Sequence, residues 1–301
     1  GMMLEATYRG LAEARARRTA HILGILALLV LLGLSLPVRG AESLDTRYLQ
    51  GLGDVRYHRL ESDVLGRPLH VYVRVPEPDS PAERFPVVFV LDGGAFFPLL
   101  SASYHTLRWG EEVPEMILVG ISYGSDRFAS GNYRASDFTA PAPDREWWGG
   151  APKFQRALVQ ELLPLIESGY PADPERRVLL GQSLGGQFVL YSALTRPGLF
   201  FGHIASNPAL HRNLDWFQEW RGEAPMPAAA TRLFLAEAEF DDARFRQPAL
   251  KWIENWSAAD RAKPFRLEVR MLEGHTHLSA VTEAFRLGVQ WLFGSDPEVS
   301  E

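Results

Sequence analysis

The chain has no cysteine among its 301 residues. That absence excludes disulfide staples, thiolate-bound zinc, iron–sulfur centres and a lipid-modified N-terminal cysteine. A basic excess is missing too. The 31 Lys and Arg face 37 Asp and Glu, a net charge of −6. Nothing in that balance points to nucleic acid, and the acidity is too mild to imply a cationic partner. There is no internal repeat and no low-complexity linker to force a domain boundary. What is present is 46% hydrophobic, 11% aromatic and 23% charged residues, the profile of a globular chain with a sizeable core.

The first forty residues differ from the rest. Arg9, Arg15, Arg17 and Arg18 precede an almost unbroken apolar run from Ile22 to Leu36, followed by Pro37-Val38-Arg39-Gly40-Ala41. A basic stretch, a short apolar run and a small-residue exit read as a secretory signal peptide over residues 1–40, with cleavage after Gly40. The run is short for a spanning helix, which takes about 20 residues, although an uncleaved anchor is the alternative and would be the chain's one membrane contact. Beyond residue 40 there are 26 basic and 35 acidic residues, net −9. The expected destination is the periplasm or the exterior. Residues 41–301 are the right length for a single α/β domain.

Within that domain, strand and helix patterns alternate. Val55–Leu60 and Leu69–Val75 read as paired antiparallel strands around a turn at Gly66-Arg67. Pro86–Leu91 and Met116–Ile121 are continuous apolar runs, as parallel strands buried on both faces require. Further strands are expected at Arg177–Leu180, His203–Ala205, Arg232–Ala236 and Phe265–Leu272. Helices are expected at Phe154–Ser168, Leu184–Thr195, Pro248–Arg261 and Ala280–Phe293. The order predicts an α/β fold, a mostly parallel sheet with helices on both faces. Residues 124–152, rich in Gly, Pro, Asp and aromatics and without a period, read as a functional loop.

Gly181-Gln182-Ser183-Leu184-Gly185-Gly186 lies between a buried strand and an apolar helix. A nucleophilic serine on a tight strand-to-helix turn needs glycine at i−2 and i+2, because neighbouring Cβ atoms would clash there. Ser183 is therefore the candidate nucleophile. A serine hydroxyl needs an adjacent base, and in the α/β-hydrolase order an acid and then a histidine follow the serine. Among the eight histidines, that order leaves His275 and His277, in the loop after the last strand. Spacing alone does not separate them. A zinc reading of His-x-His lacks further ligands nearby, so no metal or cofactor is expected. For the acid, Leu233–Ala236 runs into Glu237, Glu239, Asp241 and Asp242. Glu239 is the choice just past the strand end, with Asp241 and Asp242 as alternatives. The oxyanion of the tetrahedral intermediate needs two backbone N–H donors. These are expected from Leu184 and from Gly94, in the turn after the strand ending at Leu91.

Taken together, Val90-Leu91-Asp92-Gly93, Val119–Tyr123, Tyr133–Thr139, Gly181–Gly186 and Thr276–Ser279 resemble the putative-esterase group of α/β-hydrolases. That group includes enterochelin esterases, feruloyl esterases, S-formylglutathione hydrolases and secreted mycolyltransferases. The resemblance implies an α/β-hydrolase (esterase) domain over residues 41–301. It favours His277, since the group's catalytic histidine is followed, after one residue, by Ser, Thr or a small side chain, here Ser279. The group's acid commonly lies three residues after a strand-closing Gly. Ala236 replaces that Gly, which puts Glu239 in the acid position. The third residue of Asp92-Gly93-Gly94 would supply the second oxyanion amide.

Trp147 and Trp148 in the irregular loop, with Phe96, Phe97 and Tyr123 near strand ends, are candidate walls of an acyl pocket. Arg134 and Asp137 are read chiefly as an ion pair holding that loop, with substrate contact by Arg134 as the lesser reading. The leading function is an exported serine hydrolase cleaving small-molecule carboxylic esters through an acyl-enzyme, with siderophore or aryl esters as the specialisation the resemblance suggests. Acyl transfer to an alcohol by the same groups is one alternative. A non-catalytic envelope binding protein that keeps the fold is another.

Overall fold

The computed structural model describes residues 15, 17, 46, 49–222 and 231–294. Residues 1–45 and 46–301 separate into two compact units. In the first, Arg15 and Arg17 are helical and exposed. The apolar run Ile22–Leu36 and the boundary after Gly40 lie outside the described residues.

The second unit is built on an eight-stranded sheet. Its strands are β1 (Val55–Ser62), β2 (Arg67–Arg74), β3 (Phe85–Val90), β4 (Ile117–Ser122), β5 (Ala172–Gln182), β6 (Gly202–Ser206), β7 (Thr231–Phe240) and β8 (Phe265–Thr276). The spatial order is β1-β2-β4-β3-β5-β6-β7-β8. β1 and β2 are antiparallel, as are β2 and β4, and from β4 through β8 every neighbour is parallel. The mostly parallel sheet is what the alternating sequence pattern predicts, and its strand order is the α/β-hydrolase arrangement that the family resemblance implies. All residues of β3 and β4 are buried, which is why both read as unbroken apolar runs.

Helices cover both faces. They are α1 (Gly93–Trp109), α2 (Arg134–Asp137), α3 (Ala151–Ala157), α4 (Leu163–Gly169), α5 (Leu184–Thr195), α6 (Leu214–Phe217), α7 (Ala243–Ser257) and α8 (Ala280–Phe293). On one face, Phe97, Leu100, Tyr104 and Leu107 of α1 pack with Val281, Phe285 and Val289 of α8 over Val88, Val90 and Ile204. On the other, Phe154, Phe188 and Trp252, from α3, α5 and α7, close over Val87, Phe89, Leu233 and Leu235. The expected helix over Phe154–Ser168 is real but interrupted. A π turn, Leu158–Leu162, joins α3 to α4. There Glu161 accepts a bond from the Val64 N–H at 3.0 Å and one from the Ser62 hydroxyl, pinning the β1–β2 turn.

Two departures from the sequence reading matter for the site. α1 was not legible, because its start is Gly-Gly, it holds Pro98 and it carries several Ser and Thr, all weak helix formers. β7 and β8 also run four residues past the expected ends at Ala236 and Leu272. Their polar tails pair Ala238 with Leu272 and Phe240 with Thr276 across a bulge. Ladder hydrogen bonds there override a composition that reads as loop. Residues 124–150 are largely irregular, as expected, holding one 3₁₀ turn (Phe128–Ser130) and α2.

Candidate active site

Ser183 sits between β5 and α5 with φ 60°, ψ −116°, a strained conformation for a residue with a Cβ. The surroundings over-determine it. The Ser183 N–H donates to Ser206 O at 2.9 Å, and Ser183 O accepts from the N–H groups of Gln187 and Ala209, each at 3.0 Å. A Cβ on Gly181 would stand 2.3 Å from the Gly185 backbone, so the turn closes only with glycine there. The serine thus faces a cleft of about 550 Å³ at the C-terminal edge of the sheet, where open α/β sheets bind ligands.

His277 lines the same cleft. Its Nδ1–H donates to Asp241 Oδ2 at 2.9 Å, and the Asp241 side chain is only 1% exposed. That bond fixes the tautomer, leaving Nε2 with its lone pair for a proton. Phe245, in the first turn of α7, stacks on the imidazole at 5.0 Å between ring centres. The His277 carbonyl is held as well. It accepts from Gln182 Nε2, next to the serine, and from Asn207 Nδ2 at 3.2 Å. Asn207 sits at φ 43° after β6, and its Oδ1 accepts from the Ala238 N–H at 2.7 Å. His275 is turned elsewhere, its Nδ1–H donating to Ser279 O at 3.1 Å.

The expected acid, Glu239, does not reach the imidazole. Its side chain is exposed and accepts from the Gly274 N–H at 2.8 Å. The bulge between Ala238 and Phe240 carries the chain past Glu239 and brings Asp241, one of the two alternatives, to the Nδ1 edge of the ring. Asp242, the other alternative, caps α7 by accepting from the Arg244 N–H at 2.9 Å.

Gly94 and Leu184 lie in the first turns of α1 and α5, where N–H groups have no intrahelical acceptor. α1 starts from Asp92 in the left-handed region, φ 52°. The Asp92 carboxylate is clamped by Arg134 through two bonds of 2.7 and 3.0 Å. A Cβ on Gly93 would meet the Ile121 nitrogen at 2.4 Å, so this turn too depends on glycine. The expected Arg134–Asp137 pair is therefore replaced by two separate ones. Arg134 holds Asp92 at the cleft, while Asp137 pairs with Arg67 and accepts from the Tyr123 hydroxyl at 2.7 Å. Burial holds the Asp137 carboxyl above the usual range despite Arg67. It also pushes the Tyr123 phenol well up, with the Asp137 charge adding to the effect.

Arg134, Tyr123, Phe96, Ser122 and Asp126 line the cleft with Ser183 and His277. Trp147 and Trp148 do not. Trp147 is 57% exposed with the Arg145 guanidinium over its ring, and Trp148 sets its edge against His211. Phe97 points into the opposite core, where its Cβ region closes on Gly120. Aromatic composition marked these rings as wall candidates, but composition carries no direction. Asn207 and Phe245, which hold the imidazole, had no motif to announce them, and Gln182 entered the Gly-x-Ser-x-Gly motif only as its variable residue.

The family described as Putative esterase matches residues 62–275. The chain belongs to this family. Ferri-bacillibactin esterase BesA of Bacillus subtilis (strain 168) is 35% identical over 162 residues, 49% of this chain and 55% of that protein. The apo-salmochelin esterase of Escherichia coli O6:H1 is 30% identical over 159 residues, 50% of this chain and 49% of that protein. The chain thus spans about half the length of these curated relatives. The BES protein structure from Bacillus cereus superposes with a TM-score of 0.70 at 22% identity, covering 86% of this chain and 99% of that one. Siderophore hydrolase EstB from Aspergillus nidulans gives 0.68 at 18% identity, covering 86% and 99%. At such identities these structures speak to the fold, which agrees with the strand order above.

Proposed function

We propose that this chain is an exported serine hydrolase that cleaves carboxylic esters through an acyl-enzyme, with Ser183 as nucleophile, His277 as base and Asp241 as the acid that orients it. The observation carrying this reading is the bond from His277 Nδ1–H to buried Asp241, in a cleft that also exposes Ser183 on its strained turn. Nε2 takes the Ser183 proton as Oγ attacks the ester carbonyl. Asp241 stabilises the imidazolium without being protonated. The N–H groups of Leu184 and Gly94 receive the developing oxyanion. The imidazolium then protonates the leaving alcohol, and water repeats the sequence on the acyl-enzyme.

Siderophore esters are the proposed substrates, supported by the names of the relatives and by a cleft that combines Arg134 with Phe96 and Tyr123. Export to the periplasm or beyond is supported by the basic and apolar pattern of residues 9–40. A fluorophosphonate probe tests the chemistry. Labelling that disappears in Ser183→Ala is the expected result, and a folded protein that takes no label refutes it. A panel of ferric and iron-free trilactones beside p-nitrophenyl and aryl esters tests the substrate class, with a preference of tenfold or more in kcat/KM for the trilactones expected.

A further inference from the structure

Behind the imidazole lies a second carboxyl that the proposed reaction does not use. Glu237 is 0% exposed, on the face of β7 that carries Leu233 and Leu235 under α5 and α7. Neither of its oxygens has a hydrogen-bond partner among ordinary donors, and the same holds for Asp241 Oδ1. Both carboxyls are buried, and they stand on either side of the bulge at the end of β7, with Asp241 acting on Glu237 by its charge and by a side-chain hydrogen bond. Two buried carboxylates side by side cannot both stay ionised, and a lone buried acceptor is costly. One shared proton resolves both problems.

We propose that Glu237 is a positioning residue that stays protonated and donates its O–H to Asp241 Oδ1, so that Asp241 is held from both sides, by Glu237 on Oδ1 and by His277 on Oδ2. The inference rests on the reading of Asp241 as the triad acid. The surroundings assign the proton to Glu237. Burial first, and then the Asp241 charge, push its carboxyl up to about 9, against which Arg246 of α7 acts only weakly. Arg246 is itself occupied with the Ala238 carbonyl, its Nε donating at 3.2 Å. β8 presents no charge at this point, with Met271 opposite Glu237 in the register. Asp241 Oδ2 already accepts from His277, which leaves the shared proton to Glu237. The arrangement would lock the carboxylate's rotation and draw off part of its charge, which tunes how strongly it favours the imidazolium.

The test compares Glu237→Gln, whose amide N–H can replace the donor, with Glu237→Leu, which cannot. With the trilactone or a p-nitrophenyl ester, Glu237→Gln is expected to keep kcat within about threefold, and Glu237→Leu to lose tenfold or more in kcat at similar KM. The acid limb of the Glu237→Leu pH profile should move to higher pH, because an undivided Asp241 charge holds the imidazolium more tightly. Independently of activity, and even if Glu237→Leu fails to fold, the infrared difference between wild type and Glu237→Gln at pH 7 should contain a protonated carboxyl band that fades above pH 9. The absence of that band overturns the proposal. So does a folded Glu237→Leu with wild-type kcat and pH profile, or an equal loss in both variants. In an Asp241→Asn background the two Glu237 variants should be indistinguishable. If Asp241→Asn itself leaves kcat unchanged, the triad reading fails first. If Asp241→Asn is crippled while Glu237→Leu is not, the Glu237 proposal fails alone.

Discussion

His277 and Asp241 are 36 positions apart in sequence and meet at 2.9 Å because β7 and β8 are neighbours whose paired tails outrun the rest of the sheet. Glu239, within the tail of β7, is spent on the Gly274 amide. Asp241→Asn should therefore lower kcat by roughly 10²–10⁴, the range for a general base left without its orienting partner. Glu239→Gln should stay within about threefold. Steady-state kinetics on any accepted ester decides between them, and the reverse ranking would move the acid back to Glu239.

Gly181→Ala tests the turn rather than the chemistry. Its Cβ would stand 2.3 Å from the Gly185 backbone, which cannot swing aside as a side chain does. A loss of about 1–3 kcal/mol is expected, a typical cost of overpacking. That corresponds to a drop in melting temperature of several degrees, accompanied by loss of fluorophosphonate labelling. A variant that melts and labels like wild type would show that the turn has more slack than its geometry implies.

Asn207→Ala removes a donor to the His277 carbonyl and the acceptor of the Ala238 N–H. Leaving that buried N–H unpaired should cost about 1–3 kcal/mol. Because the imidazole loses a tether, kcat should fall while KM changes little. Urea denaturation and initial rates measure the two effects separately.

Acid should weaken the fold through His203. This side chain is fully buried, and burial lowers its pKa to about 3, against about 6.5 in the unfolded chain. Stability attached to the neutral ring is complete above pH 6.5 and drains as pH falls from there toward 3, with a limiting slope of about 1.4 kcal/mol per pH unit. His203→Leu removes this proton uptake, so the difference in stability between wild type and variant should change across that window and be flat above it. Denaturation curves from pH 4 to 8 show it.

How much of this was readable from the chain follows the physics of each part. The strand-to-helix turn at Ser183 was legible because it imposes a local rule on Gly181 and Gly185, within reach of one short motif. The apolar runs of β3 and β4 announced a doubly covered sheet for a similar reason, since burial is written into each residue type. The carboxylate that meets His277 was not settled, because it depends on where a bulge falls between Ala238 and Phe240, and that is decided by pairing with β8. Four carboxylates between residues 237 and 242 gave the neighbourhood but not the register. The same holds for Trp147 and Trp148, whose distance from the cleft is set by the contacts of Arg145 and His211.

The double hold on the His277 carbonyl has a further consequence. Both grips, Gln182 and Asn207, come from the ends of β5 and β6, and neither belongs to the irregular rim of residues 124–150. Lengthening, trimming or replacing that rim would leave the imidazole's station untouched. Parts of that rim other than Arg134, which clamps Asp92 at the turn before Gly94, can therefore be remodelled without moving the imidazole, much as a lathe accepts a new chuck while its spindle stays aligned.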